Sequence, residues 1–251
     1  MSEKIENSVC FVTGAAGGIG GSMVDSLIKR KAARIYAADR TFPAGSLRRG
    51  WENVVTPVEL DIADKAAVDR VAASVSDVNF LFNIAGVNLR STFLSDRGFE
   101  LARSEMDVNY FGTLAMCRAF APQLILNGKV RPSAIVNMLS ILAKVTLPNL
   151  GTYCASKAAL LRLSEGLRAE LADRSVAVIA VMPWAVDTAI SRNFSGPKTS
   201  TAEVAERSLD AIEGGSDEVY LHEFSDEVNR RLQVDPKALE LELAARFRAA
   251  P

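Results

Sequence analysis

The feature that most constrains the fold is a short apolar run followed by a glycine-rich stretch near the start of the chain. Val9–Thr13 is apolar enough for a buried strand, and four glycines fall within the next seven residues. Beyond them, apolar residues recur at helical spacing as far as Ile28. A strand, a tight glycine turn and a helix, in that order, form a dinucleotide site, because the turn brings a pyrophosphate to the positive end of the helix. An ordinary tight strand-to-helix turn is the alternative. The candidate cofactor contacts in the turn are Gly14, Gly18, Ile19 and Gly20.

Six further apolar runs alternate with amphipathic helical patterns along the chain. Almost wholly apolar strands indicate a parallel sheet covered by helices on both faces. Right-handed crossovers then predict an α/β fold with a doubly wound open sheet and ligands outside the carboxyl ends of the strands. Pro57 predicts that the third strand is short. The predicted strands after the first are Ile35–Ala38, Val54–Leu60, Val78–Phe82, Ala134–Met138, Val176–Met182 and Glu218–Leu221, and the helical patterns run over about 66–75, 99–126 and 151–173.

Length and charge narrow the function classes. The 251 residues fit a single domain over 1–251, with a core at about 8–222 and a C-terminal helical extension at 223–251. The formal net charge of −1 gives no electrostatic reason to expect nucleic acid or an anionic membrane as a partner. No apolar run approaches the roughly 20 residues that span a bilayer.

The cysteine and histidine content argues against a metal centre. Cys10, Cys117 and Cys154 lack metal-type spacing, and no secretory signal precedes them, so a reduced, cytoplasmic setting is expected. The single histidine, His222, lies late in the chain and is expected to face solvent, which leaves a Ser-His-Asp hydrolase poorly supported. Cys154 is interpreted as a small buried hydrophobic residue rather than a reactive thiol.

An acidic residue stands where a ribose partner belongs. Asp39 follows the second predicted strand, about 20 positions beyond the glycines, and can accept hydrogen bonds from an adenosine ribose while repelling a 2′-phosphate. Arg40 could instead bind that phosphate, or remain a solvated side chain. NAD is therefore predicted as the preferred cofactor, with some use of NADP.

A tyrosine and a lysine four residues apart open the helical pattern at Gly151, for which Thr152 is the predicted N-cap. Tyr153 and Lys157 lie on the same helical face. An ammonium near a phenol lowers the phenol pKa from its usual value of about 10, so the pair could exchange a proton near neutral pH. Taken alone, the spacing also occurs on solvated helices.

Together these motifs resemble the short-chain dehydrogenase/reductase family over roughly residues 8–222. Thr13–Gly20 resembles its cofactor turn, and Asn83–Gly86 resembles its Asn-Asn-Ala-Gly element, with Ile84 in place of the second asparagine. Pro183–Thr188 resembles a Pro-Gly-x-Val-x-Thr segment, with Trp184 where glycine is usual. The four positions of the family's catalytic tetrad are occupied by Asn109, Ser140, Tyr153 and Lys157.

The resemblance implies a Rossmann-type fold, a nicotinamide cofactor and a role for each tetrad residue. Tyr153 would exchange a proton with the substrate oxygen, and Ser140 would hold that oxygen in place. Lys157 would lower the Tyr153 pKa and bind the nicotinamide ribose, while Asn109 would hold a water that links Lys157 to solvent. Asp61 matches a position that contacts adenine, although helix capping is the alternative. The further cofactor contacts that the resemblance implies are Ile62, Asn83, Ala85, Gly86, Tyr153, Lys157, Pro183, Val186 and Thr188.

Two other functions use the same fold. Some members bind a dinucleotide without turnover, as sensors or interaction modules, but these commonly lose the tetrad that is complete here. A non-redox enzyme that enolises or dehydrates its substrate with the same tyrosine and lysine is the other alternative.

The residues after the strand ends predict the substrate. They are almost all apolar and include no basic cluster, which favours an uncharged secondary alcohol or ketone with a hydrocarbon body. Trp184 must either shrink the cavity or point outward, and residues 187–200 are predicted to close as a lid. The candidate lining residues are Val87, Leu89, Ser140, Ile141, Leu142, Leu147, Leu150, Trp184, Ile190 and Phe194.

The tail carries an apolar stripe that must be buried. Asp235 can cap a helix that begins at Pro236, and Leu239, Leu243 and Phe247 then share one face. The stripe is expected either at a subunit interface or over the substrate entrance. The family resemblance implies a homodimer or homotetramer built on the long helices near residues 104–126 and 152–173.

Overall fold

The backbone forms one seven-stranded sheet in which all neighbouring strands run parallel. The structure, a computed structural model, describes residues 4–43 and 47–248, with side chains up to residue 245. The spatial order β3-β2-β1-β4-β5-β6-β7 reverses direction between β1 and β4, which places the switch point of the sheet beside the glycine turn. The strands are β1 Val9–Thr13, β2 Arg34–Asp39, β3 Val55–Glu59, β4 Phe80–Asn83, β5 Ser133–Met138, β6 Val176–Pro183 and β7 Glu218–Leu221.

Helices cover both faces of the sheet, as the apolar strands predict. Successive residues point to opposite faces, so Val12 packs with α1 and α6, whereas Phe11 packs with α2 and α4. Both side chains are fully buried. The doubly wound single-domain fold is thereby confirmed. The helices are α1 Gly18–Lys29, α2 Lys65–Ser74, α3 Gly98–Met106, α4 Thr113–Asn127, α5 Gly151–Leu171, α6 Thr201–Gly214, α7 Glu223–Val234 and α8 Pro236–Arg248.

Pro57 lies in the edge strand β3. That strand has five residues, shorter than the predicted run of Val54–Leu60, and its only partner is β2. A proline is tolerated there because an edge strand has a neighbour on one side, so the missing N–H can face away from the sheet.

The long helix predicted over 99–126 is interrupted by a π-helical segment at Asp107–Gly112 that joins α3 to α4. Apolar periodicity does not reveal this change of winding. Asn109 lies inside the segment and is fully buried. Such segments leave the regular ladder of backbone bonds and recur at functional sites.

The predicted N-cap of α5 is wrong. The helix begins at Gly151 without a side-chain cap, and Thr152 already lies in its first turn. The Thr152 hydroxyl instead donates to the carbonyl of Ser91 at 3.3 Å. The residue therefore ties the start of α5 to the loop after β4, a tertiary contact that its capping propensity does not indicate.

The tail folds back on its own chain. Asp235 accepts a hydrogen bond from the Ala238 amide at 2.9 Å, as expected of a cap, and α8 begins at Pro236. Leu239 and Leu243 are buried against Ile141, beside the predicted substrate cavity. They are therefore covered within the same chain and are not left exposed for a partner subunit. The predicted third member of the stripe, Phe247, lies beyond the described side chains.

His222 does not simply face solvent. It is half-buried, has a φ of 85°, and its Nδ1 accepts a hydrogen bond from the Phe224 amide at the start of α7. None of the described helices combines the length and apolar character that crossing a bilayer requires.

Candidate active site

Two adjoining cavities open at the carboxyl edge of the sheet. The first, of about 240 Å³, lies over the ends of β1, β2 and β4, and the second, of about 160 Å³, lies over β5 and β6. Ile19, Gly86, Val87 and Thr188 line both. This edge is where open α/β sheets bind ligands.

The glycine turn forms the floor of the first cavity. Gly14 has a φ of +69°, and a Cβ there would lie 2.9 Å from the backbone of Ala85. A Cβ on Gly20 would lie 2.0 Å from the Gly14 carbonyl oxygen. Neither position can hold a side chain, so the turn keeps a bare backbone surface beside the start of α1. That surface fits a pyrophosphate.

The acidic residue after β2 supports this turn. One carboxylate oxygen of Asp39 accepts a hydrogen bond from the Ala16 backbone amide at 3.0 Å. The other accepts one from the backbone amide of its neighbour Arg40 at 2.8 Å. Both residues line the first cavity, and the Arg40 guanidinium pairs with no carboxylate among the described residues.

Asp61 and Ile62 also line the first cavity, but Asp61 does not cap α2. Its carboxylate accepts from the Ala63 amide at 2.9 Å, and Asp64 provides the helix cap by accepting from Ala67. The capping alternative for Asp61 is therefore wrong, because the N-cap position falls three residues later and α2 begins at Lys65.

Asn83 is the predicted cofactor contact that lies outside both cavities. It is buried in the sheet, where its amide donates to Asn137 at 2.9 Å and to the Cys117 sulfur at 3.3 Å. The residues after it, Ala85 and Gly86, do line the cofactor cavity. The turn at this strand end is fixed instead by Thr13, whose hydroxyl accepts from the Ile84 and Ala85 amides at 3.0 and 3.1 Å. The sequence motifs do not indicate this structural role for Thr13.

The second cavity has a mainly apolar wall. Ile141 and Leu147 lie behind this wall, in the cluster that holds α8, and Leu89 is exposed outside it. Asn88 and Arg90 also line the cavity, and Arg90 is a single basic side chain at a wall where no basic cluster is expected. The predicted lining residues that do line it are Val87, Ser140, Leu142, Leu150, Trp184, Ile190 and Phe194, and the predicted cofactor contacts Pro183, Val186 and Thr188 line it as well.

Trp184 narrows the substrate cavity. Its half-buried ring lines the cavity and packs at 4.4 Å between ring centroids against Phe224 of α7, and at 5.6 Å edge-on against Phe194. The tail therefore supports one wall of the cavity through this tryptophan.

Tyr153 and Lys157 meet Ser140 at the bottom of the second cavity. The Ser140 side chain hydrogen-bonds the Tyr153 phenol, and the Lys157 ammonium lies 5.8 Å from the centroid of the Tyr153 ring. Lys157 is only 4% exposed and donates to the carbonyl of Met138 at 2.8 Å.

Burial controls the protonation of the pair. Burial lowers the pKa of Lys157 to about 8, and the charge of Glu105 opposes that change. Burial also raises the pKa of Tyr153, and the hydrogen bond from Ser140 offsets this only in part. The predicted lowering of the Tyr153 pKa by Lys157 is thus wrong for the protein by itself, because desolvation of the phenolate is the larger effect.

Asn109 is held entirely by the protein. Its side-chain oxygen accepts from the Val87 amide at 2.9 Å, and its NH₂ group donates to the Val87 carbonyl at 2.9 Å and to the Ser156 hydroxyl at 2.8 Å. Both amide donors are therefore in use. The predicted role of Asn109 in holding a water would therefore have to use the remaining lone pair of its side-chain oxygen or its main-chain groups.

Comparison with known proteins places these features in one family. Residues 8–198 match the family model described as short chain dehydrogenase. The 1-deoxy-11-beta-hydroxypentalenate dehydrogenase of Streptomyces avermitilis is 31% identical, with 90% of this chain and 88% of that protein covered. The D-threitol dehydrogenase of Mycolicibacterium smegmatis is 32% identical over 78% of this chain and 76% of that protein.

A solved structure extends the similarity over nearly the whole chain. The crystal structure of a short chain dehydrogenase from Burkholderia cenocepacia J2315, in complex with NADP, superposes with a TM-score of 0.89 at 43% identity. The comparison covers 99% of this chain and 100% of the other.

Proposed function

Since the chain belongs to the short-chain dehydrogenase/reductase family of NAD(P)-dependent oxidoreductases, we propose that it interconverts an uncharged, mainly apolar secondary alcohol and the corresponding ketone. The observation that supports this best is the meeting of Ser140, Tyr153 and Lys157 in one apolar cavity beside the glycine turn. We further propose a reducing, cytoplasmic setting, which the three free buried cysteines favour.

Each polar residue of the cavity has a separate role in this proposal. A bound nicotinamide supplies or accepts the hydride. The Ser140 hydroxyl accepts from the Leu142 amide at 3.2 Å, which fixes the oxygen, and it donates to the Pro183 carbonyl at 3.4 Å. A bound substrate oxygen would replace that carbonyl as the acceptor of the Ser140 proton. Tyr153 gives a proton to that oxygen during ketone reduction and removes one during alcohol oxidation. Lys157 holds a positive charge beside the phenol and binds the nicotinamide ribose.

The cofactor preference is a separate part of the proposal. The two charge-assisted bonds that Asp39 receives hold its carboxylate at the ribose end of the first cavity, which favours NAD. The relative from Burkholderia cenocepacia binds NADP, and Arg40 offers a basic group for a phosphate, so use of both cofactors is expected.

The cavity wall is the basis for the substrate class. Leu142, Leu150 and Trp184 give it a hydrocarbon surface that an uncharged substrate body would cover. The named relatives act on chemically different alcohols. The proposed substrate class therefore rests on the residues that line the cavity and not on similarity to any one relative. A catalytically silent sensor remains the second candidate, but it gives no reason for a complete tetrad.

The reaction is tested by Tyr153→Phe, with Tyr110→Phe, a half-buried tyrosine of the π-helical segment that lines neither cavity, as the matched control. Loss of the phenol hydroxyl should lower turnover by about 10²–10⁴-fold, because a positioned acid–base group is removed, whereas cofactor binding should persist. Turnover is followed by nicotinamide absorbance, and cofactor binding by fluorescence titration. A Tyr153→Phe enzyme within a few-fold of the parent, or a parent that turns over none of a ketone panel, would count against the proposal.

The substrate class is tested with paired ketones that differ only in a terminal carboxylate. The neutral member of each pair should have the higher kcat/KM, since the cavity wall is mainly apolar. Arg90→Gln serves as the matched variant, because Arg90 is the basic side chain that lines the cavity besides the tetrad residue Lys157. A higher kcat/KM for the carboxylate members would contradict the proposal of a neutral substrate. If Arg90→Gln abolished that advantage, the substrate would be anionic and bound by Arg90.

A further inference from the structure

The ring of Trp184 occupies part of the substrate cavity and packs between two other aromatic side chains. Trp184 follows β6 directly, and its backbone amide donates to the carbonyl of Leu221 at 3.3 Å, which ties it to the end of β7. Its half-buried ring lines the cavity. The Phe194 ring meets it edge-on at 5.6 Å, and the Phe224 ring lies at 4.4 Å with a tilt of 44°. The three rings therefore join the segment after β6, the cavity wall and α7.

Trp184 lies next to the reacting groups. The residue before it, Pro183, accepts a hydrogen bond at its carbonyl from the Ser140 hydroxyl at 3.4 Å. Ser140, Tyr153 and Trp184 line the same cavity. The volume of that cavity, about 160 Å³, is below the roughly 300–1,000 Å³ of most ligand pockets. The space beside the reacting groups is therefore small, and the indole of Trp184 is the largest side chain that lines it.

The tail supports the ring from behind. Phe224 contacts the Trp184 ring but does not line the cavity. The Phe224 amide donates to Nδ1 of His222 at 3.2 Å, which fixes the start of α7. Phe224 and Trp184 both pack against the buried cluster that joins Val228 of α7 to Leu239 of α8. Moving the Trp184 ring away from the cavity would therefore disrupt close packing that also buries the tail.

We propose that Trp184 is a specificity-determining residue that sets an upper limit on the size of the ketone, and that Phe224 positions its ring. This inference rests on the proposed function, because it names the substrates that the same site accepts. A compact ketone fits beside Ser140 and Tyr153, whereas a bulkier one overlaps the indole. Displacing the indole would break its contacts with both phenylalanine rings.

The test compares cyclohexanone with the two-ring ketone 1-decalone. Trp184→Ala removes the ring and enlarges the cavity, while Trp184→Phe keeps a smaller ring in it. Phe224→Ala removes the support of the ring, and Val234→Ala, at an exposed position of the same helix, is its matched control. Trp51→Phe is the control for loss of a tryptophan, because Trp51 is buried in the core and lines neither cavity.

The ratio of kcat/KM for 1-decalone over cyclohexanone should rise by about 10-fold or more in Trp184→Ala, because small differences in size already give such factors in an apolar pocket. Trp184→Phe should lie between the parent and Trp184→Ala. Phe224→Ala should raise the ratio by a smaller factor, since the indole stays but loses its support. Val234→Ala and Trp51→Phe should keep the parent ratio. A mere loss of folded enzyme lowers both activities equally and leaves the ratio unchanged.

Binding is measured separately by ligand-observed NMR in the presence of NAD, which cannot reduce a ketone. The parent should bind cyclohexanone more tightly than 1-decalone. Trp184→Ala should remove that difference or reverse it. This measurement needs no turnover, so it tests the size limit independently of the reaction.

Three results would overturn the inference. An unchanged kcat/KM ratio in a folded Trp184→Ala enzyme would mean that the ring sets no limit. Equal binding of the two ketones by the parent, including no binding of either, would mean the same. A ratio in Phe224→Ala no higher than in Val234→Ala would remove the role of Phe224. A parent that binds cyclohexanone in preference to 1-decalone but turns over neither would instead contradict the proposed function and leave the size limit in place.

Discussion

At the scale of single residues, Asp39 has two roles, and the sequence pattern indicates only its predicted contact with the cofactor. It lines the first cavity, where the ribose is proposed to bind, and its carboxylate also accepts a hydrogen bond from the Ala16 amide in the glycine turn. Removal of the side chain should therefore weaken the turn for both cofactors as well as change the choice between them. The two effects can be separated, because asparagine keeps an acceptor for the Ala16 amide but loses the charge and the second acceptor, which the Arg40 amide uses.

Asp39→Asn should shift the ratio of kcat/KM for NADH over NADPH towards NADPH by about 1–3 kcal/mol, the contribution of a hydrogen bond to a charged group. Asp39→Ala should show a similar shift in the ratio together with weaker binding of both cofactors, measured by fluorescence titration. A parent enzyme that already prefers NADPH would show that Arg40 governs the site and would contradict the proposed NAD preference.

At the scale of elements, α8 connects the tail to the substrate cavity. Leu243 is 2% exposed and packs in the cluster that includes Ile141 and, at its border, Trp184. Leu241, two residues earlier on the same helix, is 55% exposed. Leu243 and Leu241 therefore allow the same leucine-to-alanine substitution to be compared on the buried face and on the exposed face of one helix.

Leu243→Ala should lower the free energy of unfolding by about 2–5 kcal/mol, because it leaves a cavity in a packed cluster. Leu241→Ala should change it by less than about 0.5 kcal/mol, as is usual for a surface position. Denaturant unfolding measures both. Leu243→Ala should also raise the KM for the ketone more than the dissociation constant for the cofactor, since α8 supports the substrate wall. Equal stability of the two variants would contradict the packing described for the tail.

At the scale of the whole molecule, exposed apolar residues on α3, α4 and the segment between them provide a surface for assembly. Phe99, Phe111 and Leu126 are 75%, 53% and 63% exposed. A groove between α4 and α5 is lined by Leu114, Leu163 and Leu167 together with the charged residues Arg118, Arg162 and Glu170. Exposed large apolar residues favour an interface, so a homodimer or homotetramer built on these helices is proposed.

The assembly is tested by light scattering at micromolar concentration. The parent should have a multiple of the mass of one chain. Phe111→Asp should reduce that mass by placing a charge in the interface. Val130→Asp, at a position that is 86% exposed beyond the end of α4, should leave it unchanged. A monomeric parent would contradict the proposal.

The sequence alone determined the class of fold and the position of the site, because both depend on local patterns. Apolar runs at Val9–Thr13 and Val176–Pro183 predict buried parallel strands whether or not their neighbours are known. The glycines of the first turn are required by the backbone there, and the four-residue spacing of Tyr153 and Lys157 places them on one face of any helix.

Only the tertiary structure decided the features that depend on packing between distant segments. Thr152 has the residue type of a helix cap but binds Ser91, and Asn83 resembles a cofactor contact but bonds to Asn137. Glu105 resembles any surface glutamate of a helix until the fold buries it against the Leu89 amide. Propensity and spacing describe neighbours along the chain, whereas burial and electrostatic effects depend on neighbours in space, which the chain acquires only when the sheet and its helices assemble.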